Sequence, residues 1–173
     1  MIVVNLFAGP GSGKSTTCAG IFYTLKMWGI NCEMALEYAK DKVWENSLDV
    51  LNDQIYVFGK QQHRLKRLMD KVDVVITDAP LLVSIVYDNE NNKLFSDLVV
   101  QEFKKFNTLN YYIVRPESYQ TQGRLQTLDE AIEKDDEVKQ LLDKHNIDYK
   151  VVNVDDSVIT ICNDIYNKLN NVK

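Results

Sequence analysis

The chain has 173 residues, of which 45% are hydrophobic and 26% are charged, and its formal net charge is −5. This length suits one domain over residues 1–173, large enough to bury roughly two-thirds of its unfolded surface without disulfides or metals. No apolar run approaches the ~20 residues needed to cross a bilayer, so we expect no membrane partner. The negative charge argues against loose adhesion to nucleic acid, which depends on neutralising phosphates, but it leaves room for a local basic site.

The cysteines and the N-terminus indicate a cytoplasmic location. Cys18, Cys32 and Cys162 lack C-x-x-C spacing and lie among apolar residues. We therefore expect buried thiols in a reducing compartment. The first residues carry no basic leader or cleavage-site pattern, so we expect no export signal.

Strand and helix signals alternate along the chain. Short apolar runs bounded by turn residues predict strands. In chain order these are Ile2–Phe7, Asn31–Leu36, Val72–Thr77, Tyr111–Val114 and Asp148–Val154. Continuous apolar strands separated by helices predict an α/β fold with a parallel sheet covered on both faces. Ligands of such sheets bind beyond the carboxyl ends of the strands.

Helical spacing of apolar residues fills the intervals between the strands. It predicts helices from Cys18 to a stop at Gly29, over Gln54–Asp70, from Leu94 to Phe106, over Leu128–Lys144 and from Val158 to Leu169. The second should bury Ile55, Phe58, Leu65 and Met69. The fourth has an acidic run at Glu133, Asp135, Asp136 and Glu137, which we interpret as solvated surface.

A glycine-rich segment directly after the first strand has the spacing of a Walker A phosphate-binding loop (P-loop). Ala8 replaces the usual first glycine, and Gly9, Pro10, Gly11, Ser12, Gly13, Lys14, Ser15 and Thr16 follow. Small residues let backbone N–H groups point inward, and the helix that follows adds its positive end. Lys14 would reach the β- and γ-phosphates of ATP, and Ser15 would bind Mg²⁺.

Asp78 ends the third predicted strand, where a Walker B carboxylate would complete the Mg²⁺ site with Ser15. The alternative is an aspartate that caps the turn before Pro80. An Asn-Lys-x-Asp guanine signature is missing at Asn92–Phe95 and at Asn167–Asn170, which favours ATP over GTP.

Glu37 follows the second strand, where a carboxylate would accept a proton from an acceptor hydroxyl. Tyr38 is predicted to bind the same substrate. Asp78 competes for the role of base, and an exposed loop glutamate is the alternative for Glu37.

The helix over residues 54–70 carries a stripe of basic and amide side chains. Lys60, Arg64 and Arg67 would hold an acceptor phosphate, while Gln61 and Gln62 would pair with a base edge. A solvated helix face is the competing interpretation.

Two arginines are candidates for stabilising the transferring phosphoryl group. Arg115 ends the fourth strand, and Arg124 follows Gly123, a candidate hinge. Arginines on a closing segment stabilise the charge of the transition state and exclude water. Arg124 has an alternative as a plain surface residue.

The order of these motifs resembles the NadR-type ribosylnicotinamide kinase group and, more distantly, deoxynucleoside and nucleoside-monophosphate kinases. The matching segments are Gly11–Ser15, Glu37-Tyr38, Gly59–Arg64, Val75–Asp78, Tyr112–Arg115 leading to Gly123-Arg124, and Leu141–Lys144 before Ile147–Tyr149. The resemblance implies a P-loop NTPase fold with three αβα layers, a five-stranded parallel sheet and a mobile lid around Glu117–Thr127. The Asp78-Ala79-Pro80 sequence and the single clear lid arginine depart from the pattern.

The leading hypothesis is a MgATP-dependent kinase that acts on a nucleoside, deoxynucleotide or nucleotide-like small molecule. One rival is a kinase of DNA or RNA, acting on a hydroxymethylated base or an end. Small phage-encoded kinases share this compact plan, and such a chain would work in the host cytoplasm. The other rival is an ATPase switch, against which no AAA-type arginine-finger and sensor layout is visible. A homodimer is left open.

Overall fold

The computed structural model describes residues 1–116 and 127–171. Its centre is a parallel sheet in the order β2-β3-β1-β4-β5. The strands are β1 (Ile2–Phe7), β2 (Cys32–Met34), β3 (Val74–Thr77), β4 (Asn107–Val114) and β5 (Lys150–Asn153). In register, Asn5 lies opposite Thr77 on one side and Asn110 on the other. The carboxyl ends of β3, β1 and β4 therefore lie side by side.

Helices connect the strands. They are α1 (Lys14–Met27), α2 (Tyr38–Trp44), α3 (Gln54–Lys66), α4 (Val83–Val86), α5 (Lys93–Phe103), α6 (Leu128–Lys144) and α7 (Val154–Asn170), with a 3₁₀ helix at Leu48–Asn52 between α2 and α3. Among the described residues, no helix is long and apolar enough to cross a membrane.

The two faces of the sheet are covered by different helices. Alternate residues of β1 point to opposite sides, so Val4 packs in one cluster with Ile21 of α1 and Ile161 of α7. Val3 packs in the other with residues of α3, α5 and α6, including Phe58. The predicted three-layer α/β architecture is confirmed.

The packing corrects two predicted core residues. In α3 the buried side chains are Val57, Phe58, Gln61 and Leu65, whereas Ile55 is 61% exposed. Met69 is exposed because α3 ends at Lys66, so helical spacing no longer carries position 69 to the core. The short helices α2 and α4 were not predicted, since they span too few residues to show periodicity.

Candidate active site

The P-loop joins β1 to α1 and takes its shape from two glycines. Gly11 and Gly13 have φ values of 80° and 89°, in the left-handed region that favours glycine. Ser12 is fully buried, and its hydroxyl donates to the Gly9 carbonyl at 3.1 Å. The loop thus brings the amino end of α1 to the carboxyl edge of the sheet, as predicted from its sequence.

Lys14 lies across this loop. Its Nζ donates to the backbone oxygens of Ala8 and Gly9 at 2.9 and 2.7 Å. Burial lowers the pKa of Lys14, and the negative charges of Glu37 and Asp78 partly offset that effect. A desolvated ammonium held beside free space is suited to bind phosphate oxygens.

Ser15 and Asp78 meet at the base of the P-loop. The Ser15 hydroxyl donates to Asp78 Oδ2 at 2.6 Å, and Asp78 is only 3% exposed. No group of three or more His, Cys, Asp or Glu side chains within residues 1–116 and 127–171 could hold a metal ion. One hydroxyl and one carboxylate suit Mg²⁺, which takes oxygen ligands and usually keeps waters and substrate phosphates in its shell. The pair fits the predicted metal site.

Glu37 lies beside this pair, at the start of α2. Its backbone N–H donates to Asp78 Oδ1 at 3.0 Å. Burial and the charge of Asp78 raise the pKa of the Glu37 carboxyl, and Lys14 acts in the opposite direction. The structure therefore brings together Lys14, Ser15, Glu37 and Asp78, although they lie on three separate segments of the sequence.

A cavity of about 430 Å³ opens over these side chains. From the P-loop it includes Pro10, Gly11, Gly13 and Thr16, whereas Gly9 and Ser12 lie behind it. Beyond Glu37 its walls come from α2, α3 and the segment after β3. The polar residues there that the sequence did not indicate are Lys40, Gln54, Ser84, Tyr87 and Asn89. They belong to no motif, so only the fold identifies them.

Gln61 is the one member of the predicted stripe on α3 that lines the cavity. Its side chain accepts from the Tyr38 N–H at 3.0 Å and donates to the carbonyls of Ala35 and Leu36 at 3.4 and 3.3 Å. Gln61 thus holds the backbone around Glu37.

The other side chains of the stripe lie outside the cavity lining. Gln62 donates to Glu102 on α5 at 2.6 Å, Lys60 stands over the Tyr56 ring, and Arg67 is exposed. Arg64 donates to the Leu36 carbonyl at 2.8 Å and pairs with Asp41. The arrangement does not bring Lys60, Gln62, Arg64 and Arg67 to the P-loop, so substrate binding by them stays a prediction.

Tyr38 is buried beneath this region. Its ring carries the guanidinium of Arg64, with 5.4 Å between the Arg64 Cζ and the ring centroid. Tyr38 does not line the cavity. Its predicted contact with substrate therefore stays a prediction.

Arg115 lies at the P-loop but is engaged with protein groups. It donates to the Pro10 carbonyl at 2.7 Å, to the Ala131 carbonyl at 3.0 Å and to Asp135 Oδ2 at 2.8 Å. Its predicted action on a phosphoryl group stays a prediction. Arg124 and Gly123, with most of the predicted lid, lie outside the described residues.

The partner of Arg115 corrects the interpretation of the acidic run on α6. Asp135 was expected on the solvated face, yet its side chain is only 14% exposed and contacts the P-loop. Asp136 and Glu137 are exposed as expected. The sequence could not separate them, because the face of α6 that meets the P-loop depends on how the helix packs.

Comparison with known structures agrees with this fold. A structure of the NadR protein in complex with NR superposes with a TM-score of 0.66 at 17% identity, covering 87% of this chain and 43% of that one. The chain thus spans less than half the length of that NadR chain. Thymidylate kinase from Ehrlichia chaffeensis gives a TM-score of 0.63 at 13% identity, covering 95% of this chain and 98% of that one. A comparison with curated proteins finds no match.

These likenesses confirm, at the level of the fold, the resemblance to P-loop nucleoside and nucleotide kinases. A family model described as AAA domain matches residues 3–158. Because that match spans most of the sequence, the chain belongs to the AAA domain family, and it has the P-loop kinase-like α/β fold.

Proposed function

We propose that the protein is a MgATP-dependent kinase that phosphorylates a hydroxyl of a nucleoside-like small molecule. The observation that carries the proposal is the convergence of Lys14, the Ser15–Asp78 pair and Glu37 on one wall of a cavity that continues beyond Glu37. A plain nucleotide-binding site needs the first three groups. A half-buried carboxylate facing further empty space is the additional feature that a transferase needs.

Each side chain has a separate task in the proposed reaction. Lys14 and the P-loop amides bind the triphosphate, and Ser15 and Asp78 supply oxygen ligands for Mg²⁺. Mg²⁺ held there would neutralise part of the negative charge of the phosphates. Glu37 orients the acceptor hydroxyl and accepts its proton as the hydroxyl oxygen attacks the γ-phosphorus. ADP leaves with the electrons of the broken bond.

The charges of the acceptor half favour a substrate without a phosphate. Of the lysines and arginines described in residues 1–116 and 127–171, Lys14 and Lys40 alone line the cavity. With Lys14 engaged by the triphosphate, Lys40 is left for the acceptor, whereas phosphate recognition commonly relies on bidentate arginine. This supports a nucleoside over a nucleoside monophosphate.

The remaining lining suits a flat heterocycle. The apolar side chains larger than alanine are Val43, Leu51, Val57, Pro80 and Val83. Gln54 Nε2 donates to the Leu51 carbonyl at 2.7 Å, which leaves its Oε1 available to accept from a base. Apolar walls with a few placed polar groups are typical of small-molecule sites.

The decisive experiment measures transfer of labelled γ-phosphate from MgATP to a panel of acceptors. The panel contains ribo- and deoxynucleosides, their monophosphates, nicotinamide riboside, and oligonucleotides with ordinary and hydroxymethylated bases. Label on a nucleoside, transferred much more slowly by Glu37→Gln, supports the proposal. Label on a monophosphate would contradict the argument from charge, and label on an oligonucleotide would replace the small molecule with DNA.

The second candidate is a nucleotide-dependent ATPase, which the AAA domain description favours. Because the chain belongs to that family, the lack of a visible AAA-type arginine-finger and sensor layout counts less against an ATPase. Release of free phosphate at a rate indifferent to every acceptor would support the ATPase and contradict the kinase.

A further inference from the structure

The P-loop rests on α6 through the Asp135 side chain. One carboxylate oxygen of Asp135 accepts from the Gly9 N–H at 2.5 Å, and the other accepts from Arg115 Nε at 2.8 Å. Arg115 also donates to the Pro10 carbonyl at 2.7 Å. Two successive P-loop residues are therefore held by one ion pair that does not line the cavity.

The contact between the loop and the helix is close. A Cβ atom placed on Gly9 would lie 2.4 Å from the Ala131 carbonyl oxygen of α6 and 3.0 Å from the Asp135 N. Both are backbone atoms, which cannot turn aside as a flexible side chain can. The Arg115 and Asp135 side chains are 12% and 14% exposed, so solvent screens their pairing only weakly.

The pair is also electrically balanced beside the phosphate site. The charge of Asp135 raises the pKa of Lys14, and the charge of Arg115 lowers it, so both reach the nucleotide-binding lysine. A carboxylate left alone here would repel a triphosphate. Arg115 cancels that repulsion while Asp135 keeps its hydrogen bond to Gly9.

We propose that Asp135 is a positioning residue, which fixes the P-loop backbone in its nucleotide-binding shape and depends on Arg115 for neutralisation. The proposal rests on the proposed binding of MgATP and adds a group from α6 to that site. It also gives Arg115 a role different from direct contact with the transferring phosphoryl group.

The test compares MgATP dissociation constants, measured by calorimetry without an acceptor. Asp135→Ala should weaken binding about tenfold, which corresponds to loss of roughly one charged hydrogen bond. Asp136→Ala is the matched control on the exposed face and should stay within about twofold of wild type. Equal affinities for the two variants would overturn the proposal.

A double variant separates neutralisation from direct catalysis. Arg115→Ala leaves Asp135 uncompensated and should weaken MgATP binding at least tenfold. Adding Asp135→Asn removes the stray charge, keeps an oxygen that accepts from Gly9, and should restore part of the affinity. If the double variant binds no better than Arg115→Ala, the neutralising role is overturned. Arg115→Ala with unchanged affinity and reduced turnover would instead assign Arg115 to the transition state.

Hydrogen exchange gives a readout that needs no nucleotide. The amide of Gly9 should exchange faster in Asp135→Ala than in Asp136→Ala, while Asp135→Asn should retain most of the protection. Equal exchange in all three would overturn the inference about Asp135. Failure of the wild type to bind MgATP would overturn the proposed function instead, so the two failures are distinguishable.

Discussion

Glu37 lies in a position that favours its protonated form. Burial and Asp78 raise the pKa of Glu37 above its ordinary value of 4.5. The folded chain therefore holds this proton to a higher pH than the unfolded chain does, and stability falls as pH rises from the unfolded to the folded pKa. Above the pKa of the folded state, Glu37 is ionised in both states, and the full cost of burying its carboxylate lowers the stability of the fold.

Glu37→Gln should accordingly raise the free energy of unfolding at neutral pH and should have a smaller effect near pH ~4. The same change should abolish the limb of the transfer rate that rises with pH, because the carboxylate is the reactive form. Urea denaturation at both pH values and a pH–rate profile provide the check, with exposed Glu133→Gln as control. A loss of stability at neutral pH would contradict the burial of Glu37.

Gln61 gives a second prediction, because its side-chain amide forms hydrogen bonds with backbone groups around Glu37. Removing it leaves the Tyr38 N–H without its partner, whereas the carbonyls of Ala35 and Leu36 keep Thr77 and Arg64 as donors. Gln61→Ala should lower the free energy of unfolding by about 2 kcal/mol. The exposed neighbour His63→Ala should change it by less than about 0.5 kcal/mol. If the two variants melt alike while Gln61→Ala loses acceptor affinity, the amide binds substrate as first predicted.

At the scale of elements, Gly9 and Gly59 differ in whether a side chain would fit at their positions. Gly9 lies where the P-loop meets α6, with the Ala131 carbonyl in the way of any side chain. Gly59 lies inside α3 with open space around its Cβ position. Gly9→Ala should push the loop off α6 and reduce MgATP affinity, whereas Gly59→Ala should stabilise the protein by about 0.5–1 kcal/mol through helix propensity.

Thermal melts with and without MgATP distinguish these outcomes. If MgATP raises the melting temperature of Gly9→Ala as much as that of the wild type, the P-loop does not need its close contact with α6. A lower melting temperature for Gly59→Ala would indicate a contact that the structure does not contain.

The elements also show what local sequence can and cannot predict. The P-loop was identified because its glycines, Lys14 and Ser15 are consecutive and its geometry is local. Helix α6 was predicted at its observed bounds because it is long and periodic. The docked role of Asp135 was missed, since adjacent carboxylates look alike until helix packing separates them. Ser84 and Asn89 were missed for a related reason: nothing near them in sequence shows that they line the same cavity as Glu37.

For the whole molecule, the strand order explains why distant motifs meet. β1 pairs with β3 on one side and β4 on the other, so the P-loop lies between Asp78 and Arg115. The alternation of strands and helices predicted a parallel sheet, but the order of the strands depends on tertiary packing and was not predicted.

Stabilisation of the fold by bound MgATP tests whether these motifs form one binding site. MgATP at about 100 times its dissociation constant should stabilise the fold by about 2.7 kcal/mol, or roughly 5–10 °C in melting temperature. Lys14→Ala should lose most of this shift, yet melt within a few degrees of the free wild type, because burial already disfavours the charged lysine. A normal shift in Lys14→Ala would remove the basis for the P-loop assignment.

The three buried thiols on α1, β2 and α7 can be used to measure how often this part of the core opens. Cys18, Cys32 and Cys162 share one core cluster, and burial raises the pKa of each, that of Cys162 to about 11. An alkylating reagent should therefore modify them only when this layer separates. Mass spectrometry should find one common labelling rate if the layer opens as a unit. A faster rate at Cys32, on the edge strand β2, would show that the sheet frays from that side first.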